Sequence, residues 1–149
     1  MDARAGRNPG DFSARDFRDA LSTFATGVTI VTALDAEKNP IGMTASSFNS
    51  VSTDPPLILW SVTKTALSAS AFTEAQHFAV HVLSTEQTEL ANLFARRGED
   101  KFGAVKYHLD HNEVPIIDGS ATRFDCELWA NYEGGDHWII VGKVLGIDR

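Results

Sequence analysis

The chain holds a single cysteine, Cys126, set in a run where apolar and polar residues alternate. Without a second thiol it makes no internal disulfide, and no metal-ligand spacing surrounds it, so a buried, inert thiol is expected. No run of lysine and arginine occurs, and the formal net charge is −7. That argues against nucleic acid or an anionic membrane as a partner, because both demand clustered cations. One phosphate held by a few N–H groups and a single Lys or Arg remains open. No apolar run approaches the roughly 20 residues of a membrane-spanning helix. Met1 to Asp11 lacks the apolar segment of a signal peptide, so a cytoplasmic protein is expected. Neither G-x-G-x-x-G nor a P-loop is present, and the G-x-S-x-G elbow of a serine nucleophile is missing. The five histidines, His77, His81, His108, His111 and His137, are scattered and form no metal set. There are no internal repeats and no dividing linker.

What is present is a chain of 149 residues with 43% hydrophobic content, enough for one domain with a proper core. Residues 1–11 read as a flexible arm and residues 12–149 as a single domain. Ser13 with Asp16 three residues on starts a helix over Ala14 to Phe24, expected to press Phe17, Leu21 and Phe24 onto a sheet. Val28 to Leu34 is β-rich, Asp35 to Pro40 a turn, and Ile41 to Phe48 a returning antiparallel strand. That pairing lays Thr26 to Thr29 beside the residues after Gly42. Leu57 to Val62 is a strand, Thr65 to Glu74 a short helix, and Phe78 to Leu83 a strand carrying His81. Ser84 and Gln87 form a capping box, opening a helix with Leu90, Leu93 and Phe94 inward, Arg96-Arg97 in its last turn and Gly98 as its stop. Residues 100–119 are irregular, with a turn of helix at Lys101-Phe102. Phe124 to Tyr132 alternates, Glu133 to Asp136 turns, and His137 to Ile147 returns as a β-hairpin. About six strands with outer helices and no βαβ repeat indicate a small antiparallel barrel.

Two stretches offer chemistry. In G-M-T-A-S-S-F-N-S-V-S-T-D-P-P, Gly42 to Pro56, six hydroxyl side chains (Thr44, Ser46, Ser47, Ser50, Ser52 and Thr53) fall within residues 44–53. Short donors and bare N–H groups suit the polar edge of a neutral ligand, or a phosphate. The same composition suits a loop that satisfies its own backbone, and both readings stand at this point. The second stretch is Gly134-Gly135-Asp136-His137, where glycines permit close approach and an imidazole can meet an amide, a phosphate or a moving proton. A histidine that meets only water fits equally well there.

Four segments together resemble the short-chain flavin reductase family, the reductase components of two-component flavin-dependent monooxygenases. They are F-R-D-A-L-S-T-F-A-T-G-V-T-I-V-T (Phe17 to Thr32), the Gly42 to Pro56 run, F-A-V-H-V-L (Phe78 to Leu83) and G-D-H (Gly135 to His137). The resemblance covers roughly residues 12–148 with order and spacing kept. It implies a mainly β fold, an FMN-binding split β-barrel of antiparallel, Greek-key-like topology working as a homodimer. It also implies reduction of FMN or FAD by NADH or NADPH, with the reduced flavin passed to a separate oxygenase. By the same resemblance Thr26, Gly27, Val28 and Thr29 line the flavin, together with Met43, Thr44, Ala45, Ser46, Ser47, Phe48, Asn49 and Ser50. His77, Phe78, Ala79 and Ser84 lie near it, and Gly135, Asp136 and His137 meet the nicotinamide. No catalytic side chain is implied, since a hydride passes directly between stacked cofactors.

Two departures stand out. Family members commonly carry Asn where this chain has His81, and they tend to continue beyond the position of Arg149. A flavin or heme carrier on the same barrel is the alternative function, and an oxidase of a phosphorylated vitamin a weaker third. The G-D-H turn favours the reductase, because a carrier has no use for a nicotinamide site. The acidic composition disfavours the oxidase.

Overall fold

The computed structural model describes residues 11–98 and 100–149, so the expected N-terminal arm lies outside the described residues except for Asp11. The chain runs α1 (Ala14–Leu21), β1 (Thr29–Leu34), β2 (Pro40–Ala45), β3 (Asn49–Thr53), β4 (Pro56–Thr63), α2 (Ala69–Glu74) and β5 (His77–Val82). A 3-10 turn (Thr85–Gln87) leads into α3 (Thr88–Ala95), and a second 3-10 turn (Phe102–Ala104) precedes β6 (His108–Leu109) and β7 (Pro115–Ile116). The long hairpin β8 (Thr122–Gly134) and β9 (His137–Asp148) ends the chain. Seven strands form one antiparallel sheet in the order β2-β1-β5-β8-β9-β4-β3, with β6 and β7 paired apart from it. Residues 46–48 bridge its two edges, and inside the curl Phe48 meets Phe124 with ring centroids 5.3 Å apart.

Trp60, Val62, Phe72, Phe78, Val80 and Ile140 are fully or almost fully buried in the main core. Trp60 meets Phe72 edge-on at 4.9 Å between ring centroids, a favoured aromatic geometry. Phe72 arrives on α2, the short helix that packs against this core. Strand β1 is buried along nearly its whole length because both faces are covered. Val31 and Ala33 face the main core, while Ile30 packs with Phe94 of α3, Phe102 and Ile117. Thr32 donates its hydroxyl to the carbonyl of Pro115 at 2.6 Å, fastening the segment around β7 to the sheet. Cys126 is buried as expected, and burial pushes its thiol up to about 12, which leaves no thiolate for chemistry at neutral pH.

Several expectations need correction. α1 begins as expected, with Ser13 Oγ accepting from the Asp16 N–H at 3.0 Å, but it ends at Leu21 rather than Phe24. Its apolar side chains do not press onto the sheet: Phe17, Leu21 and Phe24 are 54%, 55% and 72% exposed. A helix of eight residues holds its place mainly by packing, and this one buries no residue within its own chain. The hydroxyl-rich stretch contains an unanticipated strand, β3. It is an exposed edge strand with no buried face to impose apolar alternation. The second helix starts at Ala69 instead of Thr65. Arg96 and Arg97 lie past the end of α3, where Arg97 Nη1 donates to the Thr65 carbonyl at 3.1 Å.

Candidate functional site

The antiparallel pairing of β1 and β2 sets Thr29 opposite Ala45, and the Thr29 hydroxyl donates to the Ala45 carbonyl at 2.7 Å. That contact holds the residues before β1 against those after β2. Between them lies a groove of about 1010 Å³ lined by Thr26 and Gly27 on one side and Ser46, Ser47, Phe48 and Asn49 on the other. Arg18, Leu21, Ser22, Phe24 and Ala25 complete it. Its volume falls at the top of the range of small-molecule sites, roughly 300–1,000 Å³. A side chain placed at Gly27 would meet nothing within 4 Å, so the backbone there fronts open space. The hydroxyls of Thr26 and Ser46 have no hydrogen-bond partner among the described residues. Unpaired short donors around a wide groove are what the polar edge of a planar ligand requires.

Ser47 carries this segment across to β4. Its Oγ accepts from the Ser61 N–H at 2.9 Å. Two residues further along β4, Thr63 pairs with His137. Two strand residues span about 7 Å, so the hydroxyl-rich segment and the G-D-H turn stand on neighbouring parts of one strand. That turn is a two-residue connection between Gly134 and His137, and Gly135 has φ +68°, a value glycine adopts without strain. His137 is half-exposed, and its Nδ1 lies 2.7 Å from Asp136 Oδ1. An ionised carboxylate only accepts, so Nδ1 carries the proton and Nε2 is the ring nitrogen left for a ligand. The hydrogen bond from His137 holds the Asp136 carboxyl below the usual range.

The structure does not gather every expected residue. Val28 sits at the groove end of β1, and its carbonyl accepts from the Leu83 N–H at 3.0 Å, which brings Ser84 to the same end. There the Ser84 N–H donates to Gln87 Oε1 at 2.9 Å, as the capping box requires. Met43 and Thr44 line a neighbouring recess of about 260 Å³ with Thr63, Arg97 and Lys101, and Thr44 donates its hydroxyl to the Ala91 carbonyl. Ala45 is a core residue, and Ser50 is exposed on β3. His77, Phe78 and Ala79 are not brought to the groove. β5 runs antiparallel to β1 with Thr29 opposite Val82, which puts His77 about 16 Å of strand away from Val82. Phe78 and Ala79 are buried, and His77 lines a separate recess with Asp35 and Glu113.

Sequence reasoning missed Arg18 and Phe24 as groove residues, having assigned their helix to the sheet. No local signal separated the two outcomes, because an apolar helix face reads the same whether a sheet or another surface covers it. It also missed the role of His81. That side chain is fully buried; its Nδ1–H donates to the Ile30 carbonyl at 3.1 Å and its Nε2 accepts from the Ile117 N–H at 3.1 Å. Burial lowers its pKa to about 4, so the ring is neutral and held in one tautomer.

The antiparallel sheet thus presents a wide, hydroxyl-lined groove at one end. The chain belongs to the flavin reductase like domain family, which it matches over residues 21–149. It is 50% identical to an FMN reductase (NADH) of Agrobacterium fabrum over 92% of this chain and 78% of the relative. It is 42% identical to the reductase component of a flavin-dependent trigonelline monooxygenase of Acinetobacter baylyi, covering 87% of this chain but 42% of that protein. Among solved structures it is similar to an NADH:FAD oxidoreductase of Streptomyces globisporus in complex with NAD and FAD fragments, with a TM-score of 0.86 and 38% identity. That likeness covers 95% of this chain and 84% of the other.

Proposed function

We infer that the protein is an NAD(P)H:flavin oxidoreductase that reduces FMN or FAD and supplies the reduced flavin to a separate oxygenase. The observation that carries this reading is the bond from Ser61 to Ser47. It sets a groove suited to a flavin edge beside a turn suited to a nicotinamide. Relatives named as reductase components of monooxygenases support the oxygenase partner.

The groove residues fit a flavin. Thr26, Ser46, Ser47 and Asn49 offer short donors and acceptors at the rim, Gly27 leaves room for a ring, and Arg18 is a cation among the described groove residues, fit to meet a phosphate. A flavin held there would supply the electron sink for a hydride from a reduced nicotinamide. The chain's own part is orientation: Thr26 and Gly27 with Ser46 to Asn49 hold one partner, while Gly135, Asp136 and His137 hold the other. His137 Nε2 is the ring nitrogen fit to meet the amide of a nicotinamide. No side chain exchanges a covalent bond, in keeping with hydride transfer between two stacked rings.

A second copy of the chain belongs to this reading. Leu21 and Phe24 line the groove and, with Phe17 on the same helix as Leu21, present exposed apolar surface, more than single scattered residues on a monomer surface need explain. A homodimer covers them and shelters the groove from water. Residues 12–149 act as one domain in it. Among the described residues no helix is long and apolar enough to cross a membrane, and the need for NADH or NADPH suits the cytoplasm.

The reading is tested by following NADH and NADPH oxidation with FMN, FAD or no flavin added. Turnover that saturates with added flavin is expected. Flavin binding without turnover would instead make the protein a carrier.

A further inference from the structure

Just behind the G-D-H turn, one side chain outside the groove touches three parts of the hairpin. Lys64 follows Thr63, the residue that pairs with His137. Its backbone N–H donates to the Asp136 carbonyl at 2.9 Å. Its ammonium pairs with the Glu133 carboxylate and lies 4.9 Å from the centroid of the Trp138 ring. Glu133 and Trp138 are themselves cross-strand partners, one step inside the Gly134 and His137 pair. A single lysine therefore grips both strands of the hairpin and its tip. Its side chain is 30% exposed, so part of its stem is packed rather than waving in solvent.

We propose that Lys64 is a positioning residue for the nicotinamide site, holding the Gly135 to His137 turn so that His137 presents Nε2 at one fixed place. The proposal rests on the reading of that turn as the nicotinamide site. Lys64 does not touch the reacting rings. Its side chain acts through Glu133 and Trp138, the cross-strand pair next to Gly134 and His137, while its backbone N–H holds the Asp136 carbonyl. Two of its three contacts are charge-dependent and one is not, which separates its parts experimentally. Replacing the ammonium by a neutral chain of similar length removes the Glu133 pair and the contact with Trp138, yet leaves the backbone bond to Asp136 intact. Arginine restores both, because its guanidinium pairs with a carboxylate and stacks on an indole.

The test compares wild type, Lys64→Met and Lys64→Arg by steady-state NADH oxidation with saturating FMN, beside FMN titration and thermal unfolding of each. Loss of an exposed ion pair and a cation–π contact sets the scale of the effect, so KM for NADH rises about tenfold in Lys64→Met. kcat and the FMN Kd stay within about twofold, the unfolding midpoint falls by about 5 °C at most, and Lys64→Arg recovers most of the loss. A KM unchanged in Lys64→Met overturns the proposal. So does a matching rise in the FMN Kd, which marks a general loosening of the fold, or a failure of Lys64→Arg to recover. Wild-type protein without turnover on FMN or FAD overturns the functional reading, and this inference falls with it.

Discussion

Ser47 and Ser61 exchange two hydrogen bonds: the Ser61 N–H donates to Ser47 Oγ at 2.9 Å, and the Ser47 hydroxyl lies 3.3 Å from the Ser61 carbonyl. This is a side-chain mimic of a strand pair, placed where β2 has ended and the backbone ladder has not yet resumed on β3. It fixes the groove wall to β4, the strand that also carries the partner of His137. Ser47→Ala removes both bonds. Each is worth roughly 0.5–1.5 kcal/mol, so flavin affinity should fall about fivefold to a hundredfold while the fold persists. Fluorescence titration with FMN, beside circular dichroism, checks both parts.

His137→Ala should raise KM for the nicotinamide and leave flavin binding nearly intact, because the imidazole stands on the turn and does not line the groove. Steady-state kinetics and an FMN titration on the same variant separate the two. Equal losses in both would put His137 at the flavin.

The acid stability of the protein should carry the signature of His81. Its folded pKa, about 4, lies below the ordinary value of 6.5, so the unfolded chain takes up the proton first as pH falls. Stability from this group is complete above about pH 6.5, is lost progressively down to about pH 4, and changes no further below that. The shift corresponds to about 3 kcal/mol. Denaturant unfolding across this window measures the slope, and His81→Asn should flatten it.

Gly42 lies under Phe94. A Cβ at this position would stand 2.6 Å from the Phe94 ring, and that ring is itself fully buried. Gly42→Ala should therefore cost roughly 1–3 kcal/mol by overpacking and displace α3, with a lower unfolding midpoint as the readout.

Leu21→Asp should shift the protein toward monomer and weaken flavin binding together, since Leu21 is both exposed and a groove residue. Sedimentation with and without FMN tests this. A dimer that survives the substitution would place the interface elsewhere.

Much of this architecture was legible in the residues. β-branched runs marked β1 and β5, the alternation from Phe124 to Tyr132 marked the long hairpin, and Ser84 with Gln87 marked the start of the turn before α3. These signals are local, and burial of one face enforces them. β3 was not legible because an exposed edge strand carries no such constraint. The fate of Phe17, Leu21 and Phe24 was not legible either: the pattern shows an apolar face but not what covers it. The hydroxyl-rich stretch and the G-D-H turn were identifiable by composition. Their neighbourhood depends on the Ser47 and Ser61 bond across 14 residues, a long-range contact that no window reveals. His77 to Ala79 shows the converse, since membership of the right strand says nothing about which end meets the groove.

The most direct measurement of the central claim is anaerobic mixing of the purified protein with FMN and NADH, following the oxidised flavin absorbance. The account predicts rapid bleaching that depends on the protein, together with stoichiometric loss of NADH, and slowed in His137→Ala. Bleaching no faster than with NADH and FMN alone, while FMN still binds, would contradict it.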